Sequence, residues 1–107
     1  MKKASEGGRI LRPHMTLHYP VPISRFLSDL AGLGQVAQRR MENKLRDYVY
    51  PILRNNPHSG PGIKRLKNWH PPTWRHRVGD WRFFYEIDEK QRIIFMTAAD
   101  HRKEAYR

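Results

Sequence analysis

In the run WRHRVGDWRFF, residues 74–84, Arg75 and Arg77 alternate with Trp74, His76 and Val78, and Gly79-Asp80 separates them from a second run that opens Trp81-Arg82. Alternation of this kind predicts a strand, and a Gly-Asp pair between two such runs predicts a two-residue hairpin turn. That turn sets Val78 opposite Trp81, which places Arg77 opposite Arg82 and Arg75 opposite Phe84 on one face of the sheet. Like charges facing each other across neighbouring strands repel, so the pair is best tolerated where an anion sits between them. The plain alternative is a solvated face on which each arginine pairs with Glu86 or a loop carboxylate.

Just beyond the last expected strand, Asp100-His101-Arg102-Lys103-Glu104-Ala105-Tyr106-Arg107 adds an imidazole, further guanidinium groups and a phenol. These are groups that phosphodiester chemistry uses: His moves protons near neutral pH, Arg neutralises a phosphorane, and Tyr stacks on a base or donates a proton. Without the arginine face the same residues would read as a charged, frayed terminus. Lys64, Arg65 and Lys67, just before Trp69, suit RNA backbone contact beside a stacking ring, or else an ordinary solvated loop. The six histidines (His14, His18, His58, His70, His76 and His101) include no HExxH pattern and no cysteine partner, so the spacing predicts no metal site. His76 shares a strand face with Trp74 and Val78, which predicts a core or interface role. No Gly-rich phosphate loop and no Ser-His-Asp spacing is present, so neither nucleotide hydrolysis nor serine hydrolysis is supported, and no cofactor is expected.

The elements that must position these residues fit in one small domain of 107 residues. Residues 1–13 are charged and small-residue rich, which predicts a flexible tail, and residues 14–107 form the expected domain. Met15, Leu17 and Tyr19 alternate with Thr16 and His18 as a strand that Pro20 and Pro22 end, with Pro22 suited to a first helical turn. Ile23, Phe26, Leu27, Leu30 and Leu33 then mark a short amphipathic helix stopped at Gly34. Ala37, Met41, Leu45, Tyr48 and Ile52 mark a second, whose end Pro51 should kink or fray. After the turn-rich NNPHSGP, residues 55–61, come strands over Trp74–Val78, Trp81–Ile87 and Arg92–Ala98. The expected class is α+β, ordered β-α-α-β-β-β, with an antiparallel sheet covered on one face by a helical hairpin and the first strand added at an edge.

Twenty-one Lys and Arg against ten Asp and Glu leave a formal charge of +11, which points to a polyanionic partner, nucleic acid before anionic membrane. A hydrophobic fraction of 38%, including three Trp, excludes wholesale disorder. The chain contains no cysteine, which removes disulfides and thiolate chemistry and fits a reducing cytoplasm. No apolar run reaches the length of a membrane span, and the polar start lacks a signal-peptide core, so a cytoplasmic protein without membrane association is expected.

The run WRHRVGDWRFFYEIDEKQRIIF, followed by HRKEAYR, resembles the RelE/ParE superfamily of type II toxins, and the element order over residues 15–107 is similar to that of the family. The resemblance implies a toxin of a toxin-antitoxin module, with a cognate antitoxin as partner. Its RelE branch consists of ribosome-dependent endoribonucleases that cleave mRNA in the A site. Basic residues before the Gly turn, an Arg after it, a late Arg and a late Tyr correspond to Arg75, Arg77, Arg82, Arg102 and Tyr106. On that pattern Arg77, Arg82 and Arg102 would stabilise the phosphorane formed by in-line attack of the 2′-OH. Arg75 would hold a neighbouring phosphate, Tyr106 would orient the scissile nucleotide, and the remaining basic charge would dock on rRNA. Arg75 and Arg77 stand where the best-known RelE toxin has lysines. Guanidinium groups do not give up protons near neutral pH, so His101 is the candidate proton carrier. The ParE branch, which shares the frame, implies a DNA gyrase inhibitor without nuclease chemistry, and a third possibility is a protein that only represses transcription with its antitoxin.

Overall fold

A computed structural model describes residues 17–101. The expected tail over residues 1–13, Met15 and Thr16 of the expected first strand, and Arg102 and Tyr106 all lie outside the described residues. The elements run β1 (Tyr19–Pro22), α1 (Ser24–Ala31), α2 (Gln35–Lys44), a π-helical turn (Leu45–Val49), α3 (Tyr50–Asn55), β2 (Ile63–Arg65), β3 (Trp74–Val78), β4 (Trp81–Asp88) and β5 (Ile93–His101). They form an α+β fold in which a helical hairpin packs on one five-stranded sheet of order β1-β5-β4-β3-β2.

Three features depart from expectation. The first strand lies at an edge, as expected, but it runs through the prolines instead of stopping at them, and it pairs parallel to β5. The prolines are tolerated because the Tyr19 and Ile23 amides donate to the Arg92 and Met96 carbonyls, at 2.9 and 3.1 Å, while Pro20 and Pro22 fall on the alternate, outward-facing positions that need no donor. Helix α1 therefore starts at Ser24, not at Pro22. The sheet is mixed, not purely antiparallel, and β2 adds a fifth strand that pairs antiparallel with β3.

The third departure concerns the second helix. Pro51 neither ends nor frays it; α2 passes through the π turn directly into α3, with Pro51 in the first turn of α3. Pro51 has no N–H for the carbonyl four residues back, and a widened turn absorbs that mismatch. It also shifts the phase of the buried stripe. Met41 and Leu45 are buried as the 3.6-residue period requires, but Val49 and Leu53 follow them into the core, leaving Tyr48 47% exposed. These four meet Phe26 and Leu30 of α1 and Phe83, Tyr85, Ile94 and Met96 of the sheet in one core cluster. The Tyr85 hydroxyl, fully buried, donates to the Pro57 carbonyl at 2.7 Å, and burial pushes its pKa well above the ordinary tyrosine value.

Candidate anion-binding face

The face of the sheet away from the helices carries the basic residues. Around the Gly79-Asp80 turn, Val78 pairs with Trp81, Arg77 with Arg82 and Arg75 with Phe84, the register that the turn length requires. Gly79 takes up a positive φ of 60° there. Lys64 of β2 extends the Arg75 row from the other side. Arg65, one residue on, is across from Trp74 and so belongs to the opposite face, and Lys67 lies exposed in the loop that follows β2. Gly62 brings β2 against Arg77: the Arg77 amide donates to the Gly62 carbonyl at 2.9 Å, and a Cβ on Gly62 would stand 2.4 Å from the Arg77 carbonyl oxygen.

A β-bulge determines what completes this face. Phe84 pairs with Ala98 but Tyr85 pairs with Met96, so Thr97 is an extra residue in β5, and its hydroxyl donates to the Phe84 carbonyl at 3.2 Å. Ile94 and Met96 point into the core; after the extra residue the alternation is inverted, which puts Asp100 opposite Arg82 and His101 opposite Trp81. Arg82 Nη1 reaches Asp100 Oδ2 at 3.9 Å. No contact joins Arg82 to Glu86 in the described residues, so the carboxylate partner comes from β5 and not from its own strand.

His101 closes β5 as its last residue instead of following it, and it sits on the helix side with its ring edge-on to Trp81 at 4.5 Å. The structure thus brings Arg75, Arg77, Arg82 and Lys64 onto one face and His101 to the strand end beside it, one residue from Asp100. His76 is buried against the helices with its ring stacked over Tyr48 at 6.3 Å, the core role its strand face predicts, and burial lowers its pKa.

Beside the arginines lies a cleft of about 650 Å³ lined by Arg25, Trp69, His70, Phe84, Glu86 and Asp100, among others. Trp69 stacks on Phe84 with planes 10° apart and is 51% exposed, so an aromatic surface borders the guanidinium rows. The sequence placed Trp69 near basic residues but gave no sign of Phe84 as its support or of Arg25 at the rim, since these contacts span the chain. Basic rows and an exposed ring, with the carboxylates of Asp29, Glu86 and Asp100 at the cleft, together suit recognition of a phosphodiester and a neighbouring base.

A model of the ParE toxin of type II toxin-antitoxin systems (parDE) matches residues 23–106. No curated protein sequence matches the chain. Among solved structures, the RelBE2 toxin-antitoxin complex from Mycobacterium tuberculosis superposes with a TM-score of 0.68 at 22% identity, covering 82% of this chain and 94% of the other. The RelE-RelB complex from Pyrococcus horikoshii OT3 gives 0.55 at 23% identity over 82% and 97% of the two chains. A free, doubly arginine-substituted RelE toxin from E. coli gives 0.57 at 13% identity over 84% and 88%. These likenesses agree in fold, and with the family match over most of the sequence they establish that the chain belongs to the RelE/ParE superfamily of type II toxins.

Proposed function

We propose that this toxin is a ribosome-dependent endoribonuclease that cleaves mRNA in the A site. The observation that carries the reading is the cross-strand pairing of Arg77 with Arg82 on an open face, continued by Arg75 and Lys64. Two carboxylates share the face with these four cations, Asp100 at 3.9 Å from Arg82 and Glu86 farther along β4, which leaves positive charge for a phosphate.

In the reaction the 2′-OH loses its proton and attacks the adjacent phosphorus, the bond to the 5′ oxygen breaks, and a 2′,3′-cyclic phosphate and a 5′-OH result. Arg77 and Arg82, with Arg102, stabilise the dianionic phosphorane, and Arg75 holds a neighbouring phosphate. Neither Arg75 nor Arg77 carries protons. His101 serves as proton carrier from the end of β5, which requires the scissile phosphate to cross the sheet end next to Asp100 instead of lying flat over the arginines. Tyr106 orients the nucleotide, and Lys64, Arg65 and Lys67 contact rRNA. No cofactor or metal ion enters this chemistry.

The cognate antitoxin is proposed to cover the basic face with an acidic or helical segment, a reading favoured by the neighbours from M. tuberculosis, P. horikoshii and Methanococcus jannaschii, which are toxin-antitoxin complexes. Purified toxin incubated with programmed ribosomes, followed by mapping of mRNA 5′ ends, tests the activity. Cuts at A-site codons that require the ribosome are expected. A ParE-like inhibition of DNA gyrase is the second reading, favoured by the family model that matches. Intact mRNA together with blocked gyrase supercoiling would replace the first reading with the second.

A further inference from the structure

Away from the arginine face, at the far end of β4, three side chains distant in sequence converge. His18 precedes β1, His58 lies in the loop after α3, and Glu89 lies in the turn between β4 and β5. One donor atom from each lies within 4.8 Å of the others. His58 Nε2 stands 3.0 and 2.9 Å from the two Glu89 carboxylate oxygens. The His18 ring meets the His58 ring edge-on at 5.6 Å, and Trp74 walls the other side of His58 at 5.4 Å.

Each donor is held from behind. The His18 amide donates to the Arg54 carbonyl at 2.9 Å, and the next amide, of Tyr19, donates to Arg92. The His58 amide donates to Asn56 Oδ1 at 3.0 Å, and the Gln91 amide donates to Asp88 Oδ1 at 3.0 Å within the turn that carries Glu89.

An ordinary ion pair accounts for His58 and Glu89 alone. It does not account for His18, whose Nδ1 is buried without a hydrogen-bond partner. A buried ring nitrogen without a partner costs stability unless something binds it. Arg92 opposes a cation here, and the Glu89 carboxylate offsets it.

We propose that His18, His58 and Glu89 form a binding site for a divalent transition-metal ion, Zn²⁺ first, with water completing the coordination. Two imidazoles and one carboxylate are a donor set that Zn²⁺ takes readily, whereas Mg²⁺ and Ca²⁺ call for oxygen donors. Tetrahedral zinc with bonds of ~2.0–2.1 Å sets its donors about 3.3 Å apart, so donor atoms already within 4.8 Å of one another need close by only about 1.5 Å. The ion would replace the His58–Glu89 hydrogen bond and tie the start of β1, the loop after α3 and the β4–β5 turn together. The site lies apart from the anion-binding face, so it stands or falls independently of the toxin's target.

The test uses the full chain without a polyhistidine tag, stripped with EDTA and titrated with ZnCl₂ by calorimetry. One equivalent should bind with micromolar affinity or tighter, and saturating Zn²⁺ should raise the Tm by roughly 5 °C or more. Co²⁺ in place of Zn²⁺ should show the visible absorption of a tetrahedral ion. Glu89→Gln and His58→Gln, both at exposed positions that leave the core intact, should weaken Zn²⁺ binding by roughly 100-fold, and Glu89→His should retain it. His70→Gln should bind as the unaltered chain does. The proposal is overturned if no stoichiometric binding occurs, or if Glu89→Gln and His58→Gln, folded by circular dichroism, bind Zn²⁺ undiminished.

Discussion

At the scale of single residues, the arginine pair and the buried histidine make opposite demands on their surroundings. Arg82 is about one-third exposed and meets Asp100 at 3.9 Å, so the ion pair adds at most about 1 kcal/mol. Arg82→Ala should therefore leave urea-derived stability within about 1 kcal/mol, and relief of the repulsion from Arg77 offsets part of even that loss. Single-turnover mRNA cleavage should fall by roughly 100-fold or more, the order expected for removal of one preorganised charge donor. Stability lost while cleavage is kept would take Arg82 out of the site. His76 is buried and neutral, with its pKa held below the ordinary 6.5 by desolvation. Below pH 6.5 the unfolded chain binds a proton that the folded chain refuses, so stability declines as pH falls and levels off above about pH 7.5. His18, depressed in the same direction, adds to the slope. Tm measured from pH 8 to pH 5 should show this decline, and His76→Phe should flatten it in part.

At the scale of elements, two backbone irregularities decide which side chains meet. Gly62, at a φ of 79°, lets β2 close onto Arg77, where any Cβ would collide with backbone. Gly62→Ala should cost about 1–3 kcal/mol in urea unfolding and shift Arg77 relative to Arg82. Cleavage in this variant should fall even at urea concentrations far below its midpoint; unaltered stability would mean that β2 relaxes away from β3. The bulge at Thr97 works differently, since it inverts the alternation of β5 so that Asp100 faces the arginines. Deletion of Thr97 removes the extra residue, so that Ala98, Ala99 and Asp100 keep Phe84, Phe83 and Arg82 as partners in an unbroken ladder. The dependence of Arg82 on Asp100 in a double-mutant cycle should therefore survive the deletion, and its loss would show that the bulge itself aims the Asp100 side chain.

At the scale of the whole molecule, a net charge of +11 on 107 residues exceeds what four cations on one face require. The surplus is what a protein docking on RNA needs, and counterion release then makes affinity fall steeply with salt. Between about 50 and 200 mM salt, ribosome affinity should drop by roughly 10³-fold if six or more phosphates are contacted. A flat salt response would remove rRNA docking. The same charge makes an acidic antitoxin segment a strong ligand. Co-expression with the small open reading frame beside the toxin's own should relieve growth arrest and yield a complex that survives gel filtration.

Local chemistry determined much of this protein before any tertiary contact was considered. The Gly79-Asp80 turn sets the register of β3 on β4 by its length alone, because two residues in a hairpin turn leave one pairing open, and so the Arg77–Arg82 pair was legible. The apolar spacing of α1, the burial of His76 and the edge position of the first strand followed from periodicity and from the need to cover a sheet. Periodicity has no memory across an irregularity, however. Pro51 and its π turn moved the buried stripe from Tyr48 to Val49, and the extra residue Thr97 exchanged the faces of Asp100 and His101. The parallel pairing of β1 with β5 joins residues more than 70 positions apart, and no local pattern encodes its direction. Convergence of His18, His58 and Glu89 has the same origin: their sequence spacing carries no ligand pattern, and only the packing of β1 and the post-helical loop against the β4–β5 turn brings their donor atoms within reach of one another.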